Sequence, residues 1–386
     1  MEDAQTVLCS TIETEAGGLI GHIRLNKPKA LNAIDLSMVR RIDAQLVEWQ
    51  SNDDIVCVLL DAFGDKAFCA GGDVVSMYNA MRETPNQIPG FVEDFFNYEY
   101  QLDYRIHTYN KPIVVWGNGI VMGGGLGLFN GASHRVVTQT SRIAMPEITI
   151  GLYPDVGGSW FLNRMPGKAG LFLGLTGANI NATDALFTGL ADFFVGVYST
   201  DDCIDALKRQ PWPAERHTKN SVREMHNIVS DVLRTFDSLS TELRPEGFVE
   251  ALMPAIDSAC DSSDVAEVMA NIGALPSDDN KWLSKAQKSL AHGSPLTARI
   301  VMEQMSRGSA MTLADCFRME LTLSCRCSEF GEFQEGVRAL LIDKDMQPQW
   351  RFATANDVDQ ETLDWFFTPP WQDDSQHPLA QLGKSL

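Results

Sequence analysis

The chain has 386 residues, more than one ordinary domain needs, and its 44% hydrophobic and 21% charged residues are those of a folded protein with a sizeable core. A formal net charge of -20 excludes a general nucleic-acid surface, since phosphate contacts need clustered Lys and Arg, so any phosphorylated ligand must meet a local basic patch. The eight cysteines contain no C-x-x-C pair, which excludes a zinc ribbon or disulfide framework, implies no metal site, and points to reduced thiols in a cytoplasmic setting.

Met1-Glu2-Asp3-Ala4 is acidic and is not followed by an apolar signal core or an Arg-rich transit pattern. Residues 5 to 25 read as a hairpin turning at Ala16-Gly17-Gly18, with Ile23 and Leu25 alternating with His22 and Arg24. An amphipathic helix is predicted from about Asp35, with Met38, Val39, Ile42, Leu46 and Trp49 on one face. Ile55 to Leu60 is a continuous apolar, β-branched run and predicts a buried strand. Strand, helix and strand in that order predict an α/β layer architecture.

The strand leads into Lys66-Ala67-Phe68-Cys69-Ala70-Gly71-Gly72-Asp73, a glycine turn that opens a helix. A second such turn, Gly117-Asn118-Gly119 through Met122-Gly123-Gly124-Gly125, follows the strand Ile113 to Trp116. The first amides of a helix have no partner of their own, so two turns of this kind can supply the two donors of an oxyanion hole. Neither fits G-x-G-x-x-G, Gly167-Lys168-Ala169 is not a P-loop, and no G-x-S-x-G elbow occurs. Pro112 to Ser133 carries no charge and is long enough to cross a bilayer, but its seven glycines favour a strand, a turn and a buried helix, with no membrane partner.

After a strand at His134 to Thr138, the stretch Met145-Pro146-Glu147 through Tyr153-Pro154-Asp155-Val156-Gly157-Gly158 sets two carboxylates beside prolines in an apolar frame. Burying a carboxylate is costly, so both are candidates for acid, base or nucleophilic work. The plainer alternatives are a first-turn acid for Glu147 and an N-cap for Asp155. From about residue 197 the composition turns charged and helical. Ser294-Pro295 opens a helix, Thr312 caps the next, and the acidic, proline-containing tail from 351 to 386 reads as loosely docked. Three regions follow: 1–196, 197–350 and 351–386.

The 66–73 and 122–125 turns and Pro146-Glu147 together resemble the enoyl-CoA hydratase/isomerase (crotonase) superfamily. The Glu147–Asp155 pattern and Phe333-Gln334-Glu335-Gly336-Val337-Arg338 to Asp345 are similar to its 3-hydroxyisobutyryl-CoA hydrolase branch. That resemblance implies a crotonase-like spiral of repeated ββα units in an α/β fold, with a helical C-terminal part closing over an acyl-CoA site. It implies that the Gly72 and Gly124 amides hold the thioester oxygen and that Glu147 and Asp155 carry the chemistry. Glu99 is matched to a further acid that binds the substrate. Lys27, Lys29, Ala70 and Lys344 are its candidates for coenzyme A contacts. No cofactor is implied, because coenzyme A is part of the substrate, and trimers or pairs of trimers are common. Hydratases of the superfamily carry a second glutamate two residues after the triple glycine, where this chain has Gly127. The resemblance therefore implies hydrolysis of a short, branched 3-hydroxyacyl-CoA thioester, as in valine catabolism. An enoyl-CoA isomerase or hydratase and a non-catalytic acyl-CoA binder are the alternatives.

Overall fold

The structure, a computed structural model, describes residues 5–196 and 199–384. The chain opens with strands β1 (Val7–Glu13) and β2 (Leu19–Leu25), helix α1 (Leu36–Ser51), β3 (Ile55–Ala62) and β4 (Ala67–Cys69). Helices α2 (Val74–Glu83) and α3 (Gly90–His107) precede β5 (Ile113–Gly117), β6 (Ile120–Met122), α4 (Gly124–Asn130), β7 (His134–Val137) and β8 (Arg142–Ala144). Then come α5 (Gly158–Phe161), α6 (Ala169–Thr176), α7 (Ala182–Phe187), β9 (Phe193–Phe194), α8 (Thr200–Lys208) and α9 (Lys219–Ser240). The rest is helical: α10 (Val249–Ala259), α11 (Val265–Gly273), α12 (Lys281–His292), α13 (Pro295–Gly308), α14 (Leu313–Phe330), α15 (Glu332–Val337) and α16 (Gln360–Phe366). In sequence, β3-β4-α2, β5-β6-α4 and β7-β8-α5 repeat a strand–strand–helix order, as expected of ββα units.

Two compact units share the chain. The first comprises Met1–Gly72, Leu102–Ile143 and Ile180–Gly247, and the second Asp73–Gln101, Ala144–Asn179 and Phe248–Leu386. This partition interleaves along the chain, where the sequence reading drew three consecutive regions. Residue 197, where the composition changes, lies outside the described residues, as do Met1–Ala4, and the described residues on both sides of it belong to the first unit.

In the first unit a six-stranded sheet has the order β1-β2-β3-β5-β7-β9 and a three-stranded sheet the order β4-β6-β8. The β1–β2 hairpin is antiparallel, and β2–β3, β3–β5, β5–β7 and β7–β9 are parallel. Helix α1 buries the five apolar residues its periodicity selects, and Asp35 caps it by accepting from the Ser37 and Met38 amides at 3.1 Å. Gly21 makes room for that face, since a Cβ there would lie 2.5 Å from the Trp49 ring. Val56, Leu59, Val114, Trp116 and Val136 of the sheet pack with Cys203 and Leu207 of α8 and Met225, Val229 and Leu233 of α9. Helices α8 and α9 are therefore core for this sheet, because their apolar stripe needs a partner surface.

The second unit is helical. Its tail is not loosely docked, which corrects the sequence reading: Ala355, Val358, Leu363, Phe366 and Leu379 are buried, and Arg318 of α14 donates to the carbonyls of Leu379 and Leu382. Apolar residues spaced among the acids and prolines outweigh the tail's polar composition.

Candidate active site

In the first unit, β4 and β6 run parallel, with Ala67 opposite Ile120 and Cys69 opposite Val121. The second glycine turn thus contains a strand that the sequence reading missed, because Ile120–Met122 is too short to show a period. Pairing of β4 with β6 brings the two glycine turns out at the same end of one sheet. They touch: a Cβ on Gly125 would lie 2.3 Å from the Cys69 carbonyl oxygen, and one on Gly119 would lie 2.4 Å from the Lys66 carbonyl oxygen. Each turn then reverses through a glycine with positive φ, Gly71 at 111° and Gly123 at 49°, a conformation that side chains resist. The next amides are those of Gly72 and Gly124. Gly124 begins α4 and so has no intrahelical acceptor, and among the described residues neither amide donates to the protein. Two free donors on adjoining turns are suited to one oxygen that gains negative charge. Cys69 is buried behind the first turn, its thiol directed at the Gly71 carbonyl.

The second unit holds the acids. Glu147 begins a 3₁₀ turn, Glu147–Ile150, directly after Pro146, and Gly151 closes that turn in the left-handed region. Helix α15 presses on it. A Cβ on Gly336 would lie 2.3 Å from the Ile150 backbone, and one on Gly151 would lie 2.5 Å from the Glu332 carbonyl oxygen. The motif around Gly336 is thereby explained as the brace of the glutamate turn.

Glu147 is the first-turn acid that the plainer reading describes, yet it and Asp155 are only 4% and 3% exposed, so both are buried carboxyls. Asp155 does not cap α5, whose N-cap is Gly157. Its carboxylate instead accepts from the Tyr100 hydroxyl at 2.8 Å. Helix α5 is capped from α14: Glu320 Oε2 accepts from the Gly157 amide and Oε1 from the Ser159 amide, both at 2.8 Å. Gln304 of α13 donates to the Pro154 carbonyl at 2.5 Å and to Ser159 Oγ at 2.9 Å. Between these braces Val156 sits at φ 49°, a strained conformation for a β-branched residue.

Among the described residues no cation is paired with Glu147 or Asp155. Burial drives Glu147 well above the usual carboxylate range, and the charge of Asp155 adds to the rise. Burial also raises Asp155, against the hydrogen bond from Tyr100, which lowers it. Among the described residues Glu147 Oε2 has no hydrogen-bond partner. Two coupled carboxyls of this kind titrate as a pair. Burial lifts Glu320 as well, to about 8, against the two amides that donate to it. Sequence reasoning missed Tyr100, Tyr153, Glu320 and Ser324. Their only signal was a polar residue on an otherwise apolar helix face or loop.

The family model for enoyl-CoA hydratase/isomerase matches residues 20–367. The chain belongs to this family. It is 37% identical over 363 residues to the 3-hydroxyisobutyryl-CoA hydrolase, mitochondrial, of Danio rerio, a match covering 93% of this chain and 90% of the relative. The human protein of the same name is 35% identical over 354 residues, 92% of this chain and 87% of the relative. Among solved structures, an enoyl-CoA hydratase from Rhodobacter sphaeroides is similar with a TM-score of 0.78 and 34% identity, covering 94% of this chain and 97% of that one. A carnitinyl-CoA dehydratase from Mycobacterium thermoresistibile gives 0.80 and 31%, covering 95% and 97%. The fold is thus the crotonase fold of the family.

Two other sets of sequence candidates can be placed. Glu99 is buried in α3, one residue before Tyr100, rather than on a solvated helix face. Lys27 is ion-paired with Asp35 at 3.0 Å, Lys29 is exposed on the same short turn, and the Ala70 amide donates to the Leu31 carbonyl at 3.1 Å. Lys344 is exposed in the second unit at φ 56°. The Lys27 pair is a contact that sequence reading did not foresee, and a phosphate there would compete with Asp35. Among the described residues no helix is long and apolar enough to cross a membrane, and Pro112 to Ser133 divides among β5, β6 and α4.

Proposed function

We propose that this chain hydrolyses 3-hydroxyisobutyryl-CoA to 3-hydroxyisobutyrate and coenzyme A, a step of valine breakdown. The observation that carries the reading is the buried pair Glu147 and Asp155, with no cation paired to either among the described residues, in a chain whose hydrolase relatives match over nine-tenths of its length. The thioester oxygen accepts from the Gly72 and Gly124 amides, each donor contributing about 3 kcal/mol to the transition state. Glu147 acts on the carbonyl carbon, either by forming an anhydride or by taking a proton from a water; transfer of ¹⁸O from labelled water into Glu147 over repeated turnovers marks the anhydride route. Asp155 assists proton delivery to the departing thiolate, and Glu99 binds the hydroxyl end of the acyl group. Lys27, Lys29, Ala70 and Lys344 are the proposed coenzyme A contacts. No cofactor takes part, and the setting is cytoplasmic.

An enoyl-CoA hydratase or isomerase is the competing reading, favoured by the name of the Rhodobacter sphaeroides relative. Gly127, buried in α4, stands against it, because addition of water across a double bond uses a second acid there in the hydratases this chain resembles. The test is Glu147→Gln. Thiol release should fall by about 10³-fold while binding of the CoA ester changes less than about threefold, as for loss of an essential acid or base. Turnover near that of the unaltered protein would remove Glu147 from the mechanism.

A further inference from the structure

Behind Asp155 the second unit contains a line of buried oxygens whose hydrogens can be counted. The Asp155 carboxyl meets Tyr100 Oη at 2.8 Å, and Tyr100 Oη meets Ser324 Oγ at 2.7 Å. Ser324 Oγ meets Tyr153 Oη at 2.8 Å, and Tyr153 Oη meets the Glu320 main-chain carbonyl at 2.5 Å. Tyr100, Tyr153 and Ser324 are all buried. The line has four contacts of 2.8 Å or less, with Tyr100 Oη and Tyr153 Oη a longer 3.5 Å apart, and three hydroxyl hydrogens.

The far end fixes the direction. A carbonyl can only accept, so the Tyr153 hydrogen is committed to Glu320. The hydrogen between Tyr153 and Ser324 must then come from Ser324, and the one between Ser324 and Tyr100 from Tyr100. The last contact is filled only when the hydrogen belongs to Asp155. Donation from Tyr100 to Asp155 belongs to the ionised carboxylate; in that form one contact further along is left with two facing lone pairs. A buried polar contact without its hydrogen is costly.

We infer that Tyr100, Ser324 and Tyr153 are positioning residues forming a one-way hydroxyl relay that holds a proton on Asp155 for the departing thiolate. The inference rests on the hydrolase reading for the use of that proton, but not for its presence. When the carbon–sulfur bond breaks, its electron pair goes to sulfur, and the Asp155 O–H bond breaks to give the thiol and a carboxylate. The water that completes hydrolysis gives its hydroxyl to the carbonyl carbon it attacks, that of the acyl group or that of Glu147 in the anhydride, and a proton back to Asp155. No oxidant, metal or further reactant is needed.

The titratable groups facing this line are Glu147 on its 3₁₀ turn, Glu99 and Tyr100 on α3, Tyr153 on the loop, and Glu320 and Cys327 on α14. Glu147 is coupled to Asp155, so the test is made in a Glu147→Gln background, where Asp155 titrates without that partner. The measurement is an infrared titration of the protonated carboxyl stretch, assigned to Asp155 by subtracting the Asp155→Asn spectrum. The relay requires the band at neutral pH. It also requires that Ser324→Ala, which frees the Tyr100 hydrogen to turn toward the carboxylate, moves the midpoint down by about one pH unit. Tyr153→Phe should do the same by releasing the far anchor, and Ser324→Thr should restore the original midpoint. A midpoint that stays or rises in both Ser324→Ala and Tyr153→Phe would overturn the relay. If the midpoint falls as required while the unaltered protein releases no thiol, the relay stands and the hydrolase reading fails.

Discussion

At the scale of single residues, Glu147 and Asp155 show how a buried acid differs from a cap. Both follow prolines, and their local sequence fits an N-terminal acid equally well. What separates the readings is the identity of the residue that holds the α5 amides, and that is Glu320, 163 residues along from Gly157. Glu320→Gln keeps the shape but turns an amide NH₂ toward one backbone donor. It should destabilise the protein by about 1–3 kcal/mol in urea unfolding and lower kcat through the loop bearing Asp155. Unchanged stability would show that the two amides find other acceptors.

At the scale of elements, the turn carrying Glu147 is fixed by backbone contact as well as by side chains. Gly336 and Gly151 are the points where α15 and the turn meet without room for a Cβ. Gly336→Ala should therefore push the turn away. Expected are a loss of about 1–3 kcal/mol in stability and a fall in kcat larger than any change in KM, because the displaced group acts in the transition state. A variant with unaltered kcat would separate the brace from the chemistry.

Much at this scale was legible beforehand. The α1 stripe from Met38 to Trp49, the first hairpin and the strand from Ile55 were written in local period and turn chemistry. The two glycine turns were legible as well, because positive φ and close approach select glycine. Strand β6 was not, being three residues whose only support is β4. The docking of the tail and the packing of α9 on the sheet were also hidden, since composition says what a helix can bury and not which surface it finds. Glu320, Tyr100 and Ser324 were hidden for the same reason: each acts on a residue far away in sequence.

For the whole molecule, the buried acids make stability depend on pH. Glu147, Asp155 and Glu320 are raised in the folded state, so their contribution is complete below the ordinary carboxylate range and is lost as pH rises through the folded values, about 8 for Glu320. Asp61 behaves in the opposite way. Burial alone would raise it, but Arg24 at 2.7 Å and His22 at 3.0 Å outweigh burial and lower it, so its contribution is lost only in acid. The urea midpoint should accordingly fall between about pH 5 and pH 8.5, and the fall should shrink in Glu147→Gln. A midpoint that rises across that window would contradict the assignment of buried, proton-holding acids.

The central claim is thioester cleavage, and it is tested most directly by following free thiol and enoyl absorbance together across a panel of acyl-CoA esters, with and without a 3-hydroxyl. The account predicts thiol release from 3-hydroxyisobutyryl-CoA, with kcat/KM at least about tenfold lower for isobutyryl-CoA, which leaves the buried hydroxyl-binding group unpaired. Change in enoyl absorbance without any thiol release would contradict it.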